Sequence, residues 1–372
     1  MTKRRTARST GGKKIGVREF IISLLLIAVL WGVQECTGLD LLNLSPTAEV
    51  ETEPVGAIQI YFTTPAYPEE ESDRYGGVDE KLAAAIDGAQ KSVDMAAFEL
   101  DLPRVTDALI RADKRGVEIR MVTDSDYAED LGPERLDEAG IPVVFDDRDP
   151  FMHDKFVVID GVTVWTGSWN LTINGTYRNN NNLVVIQSTK LADNYTTEFR
   201  EMFEDGKFGA SSPDDTPHPQ INLDGTLIEN HFESEGNVRP RLVELINGAE
   251  ESVYFLAFSF TDDEIAKAMI DRHRAGIEVR GVIEARNASG TGSDMEAMAK
   301  AGIDVLEDGN PYVMHHKVII IDGEIVTTGS YNFSQSAADK NDENVLIIHN
   351  ATIAEQYTDE FQRVYQRAEE AQ

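Results

Sequence analysis

Two histidines, two lysines and two asparagines recur in this chain at identical spacing. The first set is His153-x-Lys155-x4-Asp160-x6-Gly167-Ser168-x-Asn170, and the second is His315-x-Lys317-x4-Asp322-x6-Gly329-Ser330-x-Asn332. In each copy an apolar strand follows the lysine, FVVI in one and VIII in the other. A strand's period of two puts His153 and Lys155 on one face, and His315 and Lys317 on one face of theirs. Brought together, the two faces would surround one point with two imidazoles, two ammonium groups and two amides. Such a set suits an anionic tetrahedral group, one imidazole attacking and the other protonating what leaves. A lone His-x-Lys pair is commonplace in globular proteins, but the whole pattern twice is not.

The elements that must position these residues are also duplicated. VDEKLAAAIDGAQKSVDMAAFEL aligns with VRPRLVELINGAEESVYFLAFSF at an offset of 160, and RADKRGVEIRMV aligns with DRHRAGIEVRGV. AGIPVVFDD and AGIDVLEDG follow at 162, and the ends YTTEFREMF and YTDEFQRVY correspond. Leu82, Ala85 and Ile86, and likewise Leu242, Leu245 and Ile246, have the spacing of one helix face. Continuous apolar strands such as VVIQ and VLII predict sheets covered by helices on both faces. The expected fold is α/β: two duplicated α/β/α sandwich halves with mixed sheets, related by a pseudo-twofold axis, with the active site at their interface. The halves are expected at 57–212 and 225–369, joined by a proline-bearing connector at 213–224.

With the paired motif and the duplication in place, the chain resembles the phospholipase D superfamily, whose signature is two HxKx4D motifs, each with a downstream GSxN. The similarity spans about residues 57–369. It implies a phosphodiester-cleaving enzyme that works in two steps without metal or other cofactor. By analogy His153 is the nucleophile that becomes phosphohistidine, and His315 is the acid/base. Lys155, Lys317, Asn170 and Asn332 would hold the non-bridging oxygens, whose charge grows toward the transition state. Eleven residues past each asparagine stand Glu343 in the second half and Asn181 in the first. The resemblance suggests that Glu343 hydrogen-bonds the motif histidine, which puts a carboxylate beside His315 and an amide beside His153. A carboxylate favours imidazolium, so this arrangement would sort His315 as acid and His153 as attacking base. Ser168 and Ser330 would position the pocket or cap a turn. Asp160 and Asp322, each before a glycine, read first as hairpin formers. His218, His231, His273 and His349 lack partners in the other half, and no His/Cys/Asp cluster has metal-ligand spacing.

Composition bears on the substrate. Residues 1–19 carry seven basic side chains and one acid, and an apolar run from Phe20 to Val33 follows. These read as a basic segment (1–19), a signal anchor or signal peptide (20–36) and a linker (37–56), with the body exported and either membrane-anchored at the outer face or secreted. Cys36 is the only cysteine, so no intrachain disulfide can form. The chain's −32, less the +6 of residues 1–19, leaves −38 on the body. Such a surface repels polyanions. Trp165, Trp169, Tyr312 and Tyr331 fall in or near the motifs, where they could form an apolar rim, hold a choline-like head group or stack on bases, with Trp165 equally readable as ordinary core. The expected reaction is therefore hydrolysis of a phospholipid head group by a monomer, with a secreted or surface-anchored nuclease as the alternative.

Overall fold

The computed structural model describes residues 58–236 and 238–372. The expected basic segment, anchor and linker lie outside the described residues. Among the described residues no helix is long and apolar enough to cross a membrane. The described residues pack as one compact unit.

Two mixed sheets form its frame. The first contains β1 (Ile58–Phe62), β2 (Ser92–Ala97), β3 (Glu118–Thr123), β4 (Val143–Phe145), β5 (Lys155–Ile159), β6 (Thr163–Gly167) and β7 (Asn182–Gln187). Their order is β1-β7-β6-β5-β2-β3-β4, parallel only across β2, β3 and β4. The second contains β8 (Gln220–Leu223), β9 (Thr226–Phe232), β10 (Ser252–Ala257), β11 (Glu278–Ile283), β12 (Asp304–Glu307), β13 (Lys317–Ile321), β14 (Ile325–Gly329) and β15 (Asn344–His349). Its order is β8-β9-β15-β14-β13-β10-β11-β12, the same succession with β8 added at one edge. Strand β8 lies in the stretch expected to be a connector. Asp224 and Gly225 both take positive φ (49° and 89°), which turns the chain back as a two-residue hairpin and pairs β8 with β9.

Eight helices cover the sheets: α1 (Val78–Gly88), α2 (Pro103–Lys114), α3 (Leu131–Glu138), α4 (Thr189–Phe203), α5 (Val238–Asn247), α6 (Asp263–Arg274), α7 (Met295–Ala301) and α8 (Ala351–Ala371). The outer face of the first sheet forms one core with α1, α2 and α3, and that of the second forms another with α5, α6 and α7. A third core joins the halves. Val158, Val164 and Ile186 from the first sheet share it with Val318, Ile320 and Ile348 from the second, and with Phe199 of α4 and Tyr357 and Phe361 of α8. Each such side chain contributes roughly 1.5–3 kcal/mol by leaving water. Helix α4 packs on its own sheet and on β9, while α8 packs on its own sheet and on β1. Apolar faces on both sides explain why β5, β7, β13 and β15 read as unbroken hydrophobic runs.

Candidate active site

Each motif histidine lies where its chain has left its own sheet and pairs with the other half. Met152 bridges Asp342, and the His153 N–H donates to the Asp342 carbonyl at 3.0 Å. Val313–Met314 pair with Asn179–Asn180, and the His315 N–H donates to the Asn180 carbonyl at 2.9 Å. Buried carboxylates hold the preceding residues: the Met152 N–H donates to Asp124 at 3.0 Å and the Met314 N–H to Glu284 at 2.7 Å. Arg148 of the first half pairs with the fully buried Asp342 of the second, and its counterpart Asn310 donates to Asn180 at 2.7 Å. Neither histidine can shift without disturbing both halves.

The glycines of the two GSxN segments explain themselves sterically. Gly167 and Gly329 have φ of 148° and 154°, and a Cβ there would lie 2.3 Å from the Asn182 carbonyl and 2.1 Å from that of Asn344. Only glycine lets β6 and β14 approach so closely. The next residues, Ser168 and Ser330, accept no strain, and each hydroxyl takes the N–H of the facing strand, Asn182 at 3.1 Å and Asn344 at 2.9 Å.

The ring contacts reverse the expected sorting. Glu343 does not bond His315 of its own half; its Oε2 lies 2.7 Å from Nδ1 of His153. His315 Nδ1 instead faces the Ser168 carbonyl and Asn181 Oδ1, both at 3.0 Å. The Asn181 amide is pinned in that sense because its Nδ2 donates to Gly175 and its Oδ1 accepts from Ser168. Every partner of Nδ1 in either ring is an acceptor, so Nδ1 carries the proton and Nε2 is the nitrogen left for a substrate. The reversal has a geometric cause. Glu343 immediately precedes β15, where the chain projects past the sheet edge, and the Asp342–Met152 bridge delivers it to the other half.

Both rings are buried, and burial together with Lys155 and Lys317 holds each well below the usual imidazole range. His315 also feels His153, an interaction that crosses the interface between the halves. Burial lifts the Glu343 carboxyl to about 7 against the pull of Lys155, Ser330, Asn341 and Lys317. Lys155 is lowered to about 8 and Lys317 well below its ordinary value, both chiefly by burial. An incoming anion would restore their charge. The lysines donate to the carbonyls of His153 (2.7 Å) and His315 (2.9 Å) and lie over Phe98 and Phe258 at 4.9 and 5.0 Å from the ring centroids. The same phenylalanines meet His153 and His315 edge-on at 4.8 and 4.6 Å. Sequence reasoning passed over Phe98 and Phe258, although AFEL and AFSF carry them at the shared offset.

Asn170 donates to Glu99 at 2.8 Å, and both Asn170 and Asn332 leave a buried side-chain oxygen without a partner. Beneath the site, Asn344 donates to Asp154 at 2.6 Å, and Asn182 donates to His316, whose Nε2 reaches Glu360 at 2.8 Å. Asp160 and Asp322 belong to the far ends of β5 and β13. They take positive φ and accept the backbone N–H groups of Gln90, Lys91 and Ser92, and of Glu250, Glu251 and Ser252. Their work is structural. The expected aromatic rim is also corrected: Trp169 and Tyr331 are buried in the outer cores, Trp165 takes its core reading, and Tyr312 packs against Tyr67 and Arg178. The aromatic group actually exposed beside His153 is Phe151, at 40%. A cavity of about 430 Å³ lies elsewhere, between Arg74, Tyr75, Arg104 and Tyr177. Neither imidazole lines it, and the contacts around His153 and His315 define the chemistry.

A family model described as "Cardiolipin synthase, PLD-like domain" matches residues 82–203 and 242–365. A Rickettsia prowazekii protein named phospholipase D is 40% identical over 116 residues, 31% of this chain and 57% of its own length. A Xenopus laevis protein named mitochondrial cardiolipin hydrolase is 32% identical over 131 residues, 35% of this chain and 62% of its own length. The chain thus spans little more than half of these curated relatives. The crystal structure of phosphatidylserine synthase from Haemophilus influenzae is similar in fold, with a TM-score of 0.62 over 83% of this chain and 86% of its own, at 13% identity. Two matched segments, each holding one motif and together covering more than half of the residues, place the conclusion beyond fold alone: the chain belongs to the phospholipase D superfamily.

Proposed function

We propose that this protein hydrolyses the head-group phosphodiester of a phospholipid through a phosphohistidine at His153. The observation that carries the reading is the unequal pairing of the two rings. His153 Nε2 attacks phosphorus, and the bond from phosphorus to the head-group oxygen breaks. The ring then carries a positive charge, which the Glu343 carboxylate on Nδ1 neutralises. No such charge faces His315, whose neighbours Ser168 and Asn181 are neutral. The phosphate's own charge offsets Lys155 and Lys317, so His315 Nε2 can take up a proton and pass it to the departing oxygen. Water then attacks phosphorus, His315 removes its proton, and the N–P electron pair returns to His153. Lys155, Lys317, Asn170 and Asn332 stabilise the non-bridging oxygens throughout. The proposed roles are those expected from the sequence, while the electrostatic reason for them is the opposite of the one anticipated.

A lipid substrate is supported by the names of the matched family and relatives, by the exposed Phe151 beside His153, and by the acidity of the body. We place the protein outside the cytoplasm, held at the membrane by its N-terminal apolar run or released from it; protease digestion of intact cells tests this placement. For the reaction, the full chain is given phosphatidylcholine or cardiolipin vesicles, and separately single-stranded DNA, with chelator present. Head-group release from lipid is expected. DNA cleavage without lipid turnover would replace this reading with a nuclease.

A further inference from the structure

The two halves supply matching lysines, asparagines and phenylalanines, but besides Glu343 a second charged group beside them is unmatched. Glu99 follows Phe98 past the end of β2, where the second half has Ser259 after Phe258. Its carboxylate accepts from Asn170 Nδ2 at 2.8 Å and from the Tyr127 hydroxyl, and it interacts with the Lys155 ammonium. Glu99 and Asn170 are both only partly buried. An ionised Glu99 therefore occupies the Asn170 amide that a phosphodiester needs, and repels the phosphate as well. A protonated Glu99 keeps the Asn170 amide in place and offers an O–H to a non-bridging oxygen.

We propose that Glu99 is a proton-gated phosphate ligand: as a carboxylic acid it binds the diester, and as a carboxylate it excludes it. This rests on the phosphodiesterase reading of the same site. Burial raises the Glu99 carboxyl to about 7, with Asp130 and Asp101 pushing it up and Lys155 and Tyr127 holding it down. Those are the charged and titratable groups that face it. A bound phosphate adds a further negative charge and favours the acid form. The gate should therefore open below neutrality and close above it.

The test compares wild type with Glu99→Gln, which mimics the acid form, and with Glu99→Ser, which carries the second half's residue. KM and kcat for bis(4-nitrophenyl) phosphate are measured from pH 5.5 to 9, with thermal melting to check folding. A group titrating near pH 7 weakens binding about tenfold between pH 6 and pH 8. The ratio of wild-type to Glu99→Gln KM should therefore grow about tenfold over that range. Glu99→Ser should lack the same rise. A ratio that stays flat, or a kcat loss at constant KM, overturns the proposal. Calorimetric binding of dimethyl phosphate to the same proteins separates it from the underlying reading. Gated binding without turnover would sink only the hydrolase, and turnover without the gate would sink only the role of Glu99. Neither binding nor turnover would sink both.

Discussion

Replacing Glu343 by Gln tests the unequal pairing most sharply. Glutamine keeps an acceptor for His153 Nδ1, as Asn181 does for His315, so the geometry survives while the charge goes. The 2.7 Å contact sets the two charge centres roughly 4 Å apart, worth about 4 kcal/mol at an effective dielectric constant of about 20. Allowing for the hydrogen bond that the amide retains, about 2–4 kcal/mol of stabilisation of the charged ring is lost. The phosphorylation step should slow about 30- to 1,000-fold. Rapid-quench measurement of the first turnover with a chromogenic diester isolates that step. The pH profile adds a second signature. Glu343 must be ionised to serve, and burial lifts it to about 7, so the wild-type rate should fall as pH drops through that value. The Glu343→Gln protein should lack this limb. An unaltered first-turnover rate, or an acid limb that survives the substitution, refutes the reasoning.

Asn181→Asp should place a carboxylate on His315, raise its proton affinity and move the alkaline limb of the hydrolysis profile upward by about one pH unit; profiles measured side by side check it. Asp160→Asn removes part of the cradle for the N–H groups of residues 90–92 and should cost about 1–2 kcal/mol in urea denaturation, with kcat and KM unchanged. Arg148→Met leaves Asp342 buried without its cation and should cost about 2–4 kcal/mol at pH 8. Burial already raises Asp342 to about 6 with Arg148 present, and losing the arginine raises it further. The deficit should therefore be small near pH 4, where the carboxyl is protonated, and grow as pH rises through the folded-state value; urea titrations at both pH values check this.

What was legible in the sequence was whatever depends on local period and on repetition. The strand after Lys155, the strand after Lys317 and the Asp-Gly hairpins follow from spacing within a half, and the expected meeting of two His/Lys faces follows from its repetition. What was hidden depends on which half a side chain crosses into. Glu343 stands eleven residues past Asn332, but spacing along the chain does not show that its segment leaves the sheet edge and reaches His153. Strand β8 hid in a proline-bearing stretch because its pairing rests on the Asp224–Gly225 turn. Trp169 and Tyr331 looked like rim residues by proximity to the motifs, yet each is buried in an outer core. Glu99 gave one visible signal, its mismatch with Ser259 at an otherwise matched position. Spacing said nothing of its bond to Asn170.

The account turns on covalent attachment of phosphorus to one particular imidazole. Peptide mass spectrometry after acid-free quenching of the His315→Ala protein with an activated diester measures that attachment directly. A good leaving group needs no acid to depart, and hydrolysis of the intermediate then stalls for lack of a base. The phosphoryl adduct should accumulate on His153 and vanish in the His153→Ala, His315→Ala protein. An adduct on another residue, or full wild-type turnover with no covalent species, would contradict it.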